Sequence, residues 1–217
     1  MKHAVLGTGI VGTTIATRLI GLGHEVRLGA RETGNDRARA WAKAAGARAS
    51  HGTFADAAGF GELVWNCTLG AASLDALGAA GAANLRGKVL IDVANPLDFS
   101  QGMPPTLFAA AAGESLGERI QKAFPEARVV KALNTVNAGV MVDPQKVAGG
   151  DHDVFICGDD AQAKGRVTEI LRGWFGWKRV IDLGGIGSAR GTECYVAFWV
   201  RLWGAMGTAD FNVKVVR

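Results

Sequence analysis

The stretch HAVLGTGIVGTT, residues 3–14, decides the fold. His3–Leu6 reads as a short, mostly apolar strand. Gly7-Thr8-Gly9-Ile10-Val11-Gly12 follows at once, and apolar residues at Ile10, Ile15, Leu19 and Leu22 then recur at helical spacing until Gly23. In a strand, GxGxxG and helix in that order, each glycine has its own task. The first permits a tight turn, the second lets backbone approach a pyrophosphate, and the third allows the helix to pack close to the strand. A diphosphate would rest on the helix N-terminus, where free amides and the helix dipole favour an anion. With 31 glycines in the chain, a lone GxGxxG could arise by chance; its place between strand and helix gives it weight.

Working outward, Glu25–Leu28 is a second strand, and NDRARAWAKAAG is a polar-faced helix ending at Gly46. Ala47–Ser50 follows as a short third strand. TFADAAGFG gives a brief helix capped by Thr53, whose hydroxyl can accept an orphan amide of the first turn. Leu63–Cys67 and Lys88–Val93 are the fourth and fifth strands, with a helix near Ser73–Leu77 between them. A Pro- and Gly-rich loop (95–105), a helix around Ser115–Phe124 and a sixth strand at Arg128–Leu133 come next. Continuous apolar strands alternating with helices mark a parallel sheet covered on both faces. The expected fold is therefore α/β, a Rossmann-type doubly wound, mostly parallel sheet over residues 1–150. A small C-terminal α/β extension, 151–217, would complete the site with strands at Val154–Cys157 and Arg179–Leu183, a helix at Ala161–Phe175 and a Trp-rich helix at 191–206.

A site for NAD usually ends its second strand in Asp or Glu, which accepts hydrogen bonds from the ribose 2′-hydroxyl. Here the strand runs out as Leu28-Gly29-Ala30-Arg31. A carboxylate would repel a 2′-phosphate. Small residues leave room for one, and Arg31 can face it as a bidentate, always-charged donor. The competing reading is a solvated loop arginine. NADP(H) is the expected cofactor.

Ligands of open sheets bind outside the carboxyl ends of the strands. Three polar, uncharged tips lie there: Thr68-Leu69-Gly70-Ala71, Ala94-Asn95-Pro96-Leu97 and Asn134-Thr135-Val136-Asn137. Each alone is compatible with ordinary turn chemistry. No Ser-His-Asp or metal constellation accompanies them, and His3, His24, His51 and His152 fall away from this rim. No catalytic side chain and no metal ligand is assigned; hydride transfer between two bound cofactors mainly needs proximity and orientation.

Composition narrows the field. At 217 residues with 48% hydrophobic and 20% charged residues, the chain can bury a sizeable core. Its net charge of +4 comes from dispersed Lys and Arg, which argues against a nucleic-acid groove while favouring an anionic ligand. Three cysteines, far apart and without a CxxC, fit a reducing compartment. No signal peptide is evident, and no apolar stretch reaches about 18 residues. A soluble, cytoplasmic protein is expected.

VVKALNTVNAGVM (129–141), VFICGDDAQAK (154–164) and VIDLGGIGSAR (180–190) complete a recognisable pattern. Together with GTGIVG they resemble the deazaflavin-dependent NADP reductase family, which moves hydride between NADPH and coenzyme F-420. The chain is also similar to the NADPH-binding domain of the six-transmembrane ferric reductases. The resemblance implies that Thr8, Gly9, Ile10 and Val11 hold the pyrophosphate. Ala30, Arg31 and Asn35 match a Ser, an Arg and a Lys that receive the 2′-phosphate, only the arginine being kept. Leu69 and Gly70 match a pair beside the nicotinamide ribose, and Asn95 a further contact. Asn134 stands where the family has a histidine in the deazaflavin pocket, and Ser188 and Arg190 retain the pattern of the C-terminal wall.

The expectation is thus an enzyme that exchanges hydride between NADPH and a deazaflavin or flavin, with small-molecule cofactors as its partners and no nucleic acid or membrane. Gly7, Gly12, Thr68 and Ala94 join the cofactor-binding set, and Thr135 and Asn137 the substrate-binding set with Asn134. Two alternatives stay open. One is an imine or carbonyl reductase of the pyrroline-carboxylate-reductase type, which appends a long helical dimerisation domain. The other is a non-catalytic NADP-binding redox sensor. Phe198, Trp199, Leu202, Trp203 and Met206 make the last helix more apolar than a small domain needs, so a homodimer contact is expected there.

Overall fold

A computed structural model describes residues 1–108 and 113–217. The first half alternates strand and helix: β1 (Lys2–Leu6), α1 (Ile10–Gly21), β2 (Glu25–Ala30), α2 (Asp36–Ala45), β3 (Ala49–Thr53), α3 (Phe54–Phe60) and β4 (Leu63–Asn66). It continues through α4 (Ser73–Ala80), α5 (Ala82–Leu85) and β5 (Val89–Asp92), then α6 (Leu116–Ala123) and β8 (Arg128–Ala132). Between β5 and α6, a two-residue antiparallel pair, β6 (Leu97–Asp98) and β7 (Thr106–Leu107), gives form to the stretch expected as plain loop.

The sheet has eight strands in the order β10-β9-β8-β5-β4-β1-β2-β3, where β9 is Asp153–Cys157 and β10 is Arg179–Asp182. Every pairing is parallel except β8 with β9. From β1 the chain winds one way through β2 and β3; from β4 it winds the other way. The reversal between β1 and β4 opens the crevice where open α/β sheets bind ligands. The strands after residue 150 extend the same sheet beyond its one antiparallel join.

Both faces of the sheet are covered, which explains the unbroken apolar runs. Successive residues of a strand point to opposite sides. Val5, Trp65, Ile91 and Val130 pack on one side with Ile15 and Leu19 of α1. Leu6, Val64, Leu90 and Val129 pack on the other with Leu77 of α4 and Ile120 of α6. Each such side chain contributes about 1.5–3 kcal/mol on full burial.

Local signals account for several boundaries. Thr53 caps α3 in a capping box with Asp56, and Ser115 caps α6 with Glu118. The single helix expected over Ala161–Phe175 is α8 (Ala161–Glu169) followed by a π-helical stretch, Ile170–Phe175. Gly176, at φ +86°, ends it and turns the chain so that Trp177 returns to the core, its Nε1 donating to Met141 O at 3.0 Å. Two more helices, α7 (Ala138–Val142) and α9 (Ala189–Met206), complete the unit. Among the described residues, no helix is long and apolar enough to cross a membrane.

Candidate functional site

The glycine loop is held by contacts that admit no larger residue at two of its three positions. Gly7 sits at φ +116°, and a Cβ there would lie 2.5 Å from Cys67 O. A Cβ on Gly12 would lie 2.0 Å from Gly7 O. Gly9 is different: nothing of the protein approaches the place of its Cβ. It is the N-cap of α1, with no side-chain cap and no acidic residue in the first turn. The first-turn amides, Ile10 and Val11 included, thus form an end that favours an anion. Thr8 is half-buried beside them. Burial pushes the Cys67 thiol beneath the loop upward, aided by the Asp92 charge, so that thiol is a poor nucleophile.

At the tip of β2, the strand runs two residues further than its apolar pattern indicates, through Ala30. Ala30 is buried, and Arg31 beyond it is exposed. Gly29 is small for a reason within the fold: its Cβ would meet Leu6 Cδ2 and Ala57 Cβ, each at 2.9 Å. Asn35 caps α2, its Oδ1 accepting from Ala38 N at 3.0 Å. Arg39 is engaged by Asp36 at 2.6 Å.

The tips of β4, β5 and β8 meet. A Cβ on Gly70 would lie 2.0 Å from Asn95 O, so the first two loops are in backbone contact. Leu69, just before it, is exposed. Asn95 Nδ2 donates to Asn134 O at 2.8 Å, and Asn134 Nδ2 donates to Asn95 Oδ1 at 2.9 Å. Between β8 and Asn134 stands Leu133, fully buried at φ +63°. A branched residue held in this region stores strain, of order 1–3 kcal/mol. It bends the chain so that Asn134 faces Asn95.

Beneath these tips runs a buried polar chain that sequence reasoning missed. Thr68 Oγ donates to Asn66 Oδ1 at 2.7 Å, and Asn66 Nδ2 donates to Asp92 Oδ1 at 2.8 Å. Ala94 N also donates to Asp92 Oδ1, at 3.2 Å. Lys131 Nζ lies 2.8 Å from Asp92 and 2.7 Å from Glu193 of α9. Glu193 in turn accepts from Leu116 N and Gly117 N, at 2.8 and 3.0 Å, at the start of α6. Burial opposes the Lys131 charge, but the two carboxylates outweigh it and raise its pKa above the ordinary lysine value. The clue was present: a charged residue inside an otherwise apolar strand needs a buried partner.

A cavity of about 150 Å³ opens above this chain, between the 95–105 segment and α9. Asn95, Asn134, Thr135, Trp199 and Trp203 line it among apolar side chains. Phe211 of the C-terminal tail stacks on Trp199 with ring centroids 5.2 Å apart. The tail is tied down by Asn137, which donates to Asp210 Oδ1 at 3.0 Å while its Oδ1 caps α7. Asn137 therefore fastens the wall from behind and is not part of the lining. Ser188 donates to Leu183 O at 2.7 Å, and Arg190 pairs with Glu118 at 2.7 Å. These two residues stand at the start of α9, also outside this cavity's lining. A larger open groove, about 700 Å³, lies by Arg128 and Asp160 at the opposite end of the strands, remote from the glycine loop.

Comparisons with known proteins bear on the fold and the family. The family model described as "NADP oxidoreductase coenzyme F420-dependent" matches residues 2–96. A solved structure from Arthrobacter sp. FB24, provisionally named an F420-dependent NADP reductase, is 53% identical over the full length of both chains, with a TM-score of 0.94. Rat metalloreductase STEAP3 is 31% identical over 196 residues, which are 88% of this chain and 36% of the rat protein. The F420-dependent NADP reductase of Methanocaldococcus jannaschii is 29% identical over 118 residues, 54% of this chain and 52% of the archaeal one. The chain thus spans about a third to a half of the length of these two curated relatives.

Proposed function

Because the chain belongs to the coenzyme F420-dependent NADP oxidoreductase family, we propose that it is an NADP(H)-dependent enzyme that exchanges hydride between NADPH and a deazaflavin, coenzyme F-420, or a flavin. The observation that carries the reading is a shared edge. The uncapped glycine loop, the exposed Arg31 and the Asn95–Asn134 cavity all lie at the carboxyl ends of the parallel strands. The residues fit a dinucleotide: Gly7 and Gly12 shape the loop, Gly9 leaves open space, and α1 offers its amides to a pyrophosphate.

NADPH supplies the hydride, and the protein's part is orientation and exclusion of water. Gly70 and Asn95, in backbone contact, define the wall beside the ring-bearing end of the cofactor. Asn134, tied to Asn95, defines the wall toward the acceptor. Leu69 would cover the ribose. The absence of a titrating side chain among Thr68, Asn95, Asn134 and Thr135 suits a transfer that needs no proton at those positions.

Mixing purified protein and NADPH with either F-420 or FMN, and following the NADPH absorbance band, tests the reading. Oxidation with one of the acceptors is expected. Tight NADPH binding without oxidation by any acceptor would leave a nucleotide-binding sensor in its place. The proposal includes a cytoplasmic homodimer. Phe198, Trp203 and Met206 are exposed on α9, and three unpaired cysteines fit a reducing compartment. A monomeric mass by analytical ultracentrifugation would refute the dimer.

A further inference from the structure

Three residues that line the cavity beneath α9 have unsatisfied polar atoms. Asn134 and Thr135 are 4% and 3% exposed. Asn134 Oδ1, Thr135 Oγ and Trp199 Nε1 are buried without a hydrogen-bond partner, and all three residues line this one cavity. They account for three of the eight such side-chain atoms among the described residues. An unpaired buried polar atom is expensive, and native folds carry few. The atoms also have fixed roles. Asn134 donates its Nδ2 to Asn95, which fixes the orientation of the amide, and its oxygen can only accept. Trp199 Nε1 can only donate, and its ring is held by Phe211 and by Trp203, centroids 5.8 Å away. Thr135 can do either. Leu97 and Val196 add apolar surface to the same cavity.

We infer that this cavity receives a planar amide edge, whose N–H is taken by Asn134 Oδ1 and whose carbonyl accepts from Trp199 Nε1. Thr135 stands beside the same edge. A neutral N-substituted imine or a quinone lacks the N–H and leaves Asn134 unpaired, whereas an amide edge satisfies donor and acceptor together. Two ligands carry such an edge: the imide of a flavin-type ring and the carboxamide of nicotinamide. Trp199 becomes a specificity-determining residue, and the inference rests on the reading of the chain as an NADP(H) oxidoreductase. A site built to pair a polar edge rejects the analogue that lacks it, because its own buried groups then go unpaired.

Equilibrium binding to the wild-type chain tests it with two ligand pairs: lumiflavin against 3-methyl-lumiflavin, and NADP+ against its 3-acetylpyridine analogue. Each modification deletes the N–H and keeps the carbonyl. One pair is expected to differ by about 5- to 10-fold, the size of one net hydrogen bond. W199F, which keeps an aromatic floor and removes the indole N–H, is expected to weaken the parent ligand of that same pair by a similar factor and to spare the other pair. The flavin pair responding assigns the edge to the acceptor; the pyridine pair responding assigns it to the cofactor. Equal binding within both pairs overturns the inference, even where NADPH and lumiflavin bind well. Discrimination in the wild type with no effect of W199F overturns the role of Trp199. If neither NADP+ nor lumiflavin binds, the oxidoreductase reading itself has failed and the inference falls with it.

Discussion

At the scale of single residues, the glycine loop separates two demands that a motif conflates. Gly12 is required by the fold, because a Cβ would overlap Gly7 O at 2.0 Å. Gly9 is not required by the fold, since its Cβ would meet nothing. Gly12→Ala should therefore lower Tm and NADPH affinity together. Gly9→Ala should leave Tm within a degree or two of wild type and still weaken NADPH binding several-fold, because the proposed pyrophosphate would take that space. A matched pair of thermal melts and NADPH titrations distinguishes them. Arg31 makes a complementary case. As the proposed charged donor to a 2′-phosphate it would be worth about 1.5–3 kcal/mol. Arg31→Ala should accordingly raise KM for NADPH by about 10- to 100-fold while changing KM for NADH little. Equal effects on both cofactors would make it a solvated loop residue.

At the scale of elements, the buried chain from Asp92 through Lys131 to Glu193 joins β5, β8, α9 and the start of α6. Removing one member leaves uncompensated charge inside the protein, which costs about 3–5 kcal/mol. Lys131→Met should lower stability by that amount in urea titrations. Adding Asp92→Asn and Glu193→Gln to it should recover much of the loss, because the buried carboxylates go with the cation. This chain also shows where sequence reading stops. VLIDVAN and VVKALN read as apolar strands, and each charged residue in them is locally an anomaly with no visible partner. The partners lie on elements brought adjacent only by the winding of the sheet. The parallel strands and their helices were legible because apolar runs, glycine ends and caps such as Thr53 are local signals. The antiparallel join of β9 to β8 was not, since nothing local in VFICG states which neighbour it takes or in which direction. Arg31, Asn95 and Asn134 could be singled out from strand tips alone. The cavity above Asn134 could not, since one wall is Trp199, from a helix more than sixty residues further along.

For the whole molecule, two separate fastenings make stability depend on acid, and their pH windows do not coincide. His3 is buried in β1 against Trp65, whose Nε1 donates to His3 Nδ1 at 3.3 Å. Burial, followed by the charges of His24, the N-terminal amine and Arg166, pushes its pKa from 6.5 down to about 3. Between those values the unfolded chain binds a proton that the folded chain refuses, so stability falls as pH drops below 6.5, by at most about 1.4 kcal/mol per unit. Glu118 acts lower down. The Arg190 guanidinium beside it, opposed by partial burial and helped by the Ser115 hydrogen bonds, holds its carboxyl at about 2 instead of 4.5. Its contribution is complete above pH 4.5 and is lost as pH falls toward 2, discounted because Arg190 is largely exposed. The stability curve should thus begin to decline near pH 6.5 and steepen below about 4.5. His3→Leu should reduce the upper slope, leaving the part due to His24, which burial also holds below its ordinary value. It should leave the lower segment, whereas Glu118→Gln should soften only the lower. Urea midpoints measured from pH 7.5 to 3.5 for the three chains read the slopes directly, whatever offset each substitution adds. A single break near pH 4.5 in all three would show that His3 takes up its proton without cost to the fold.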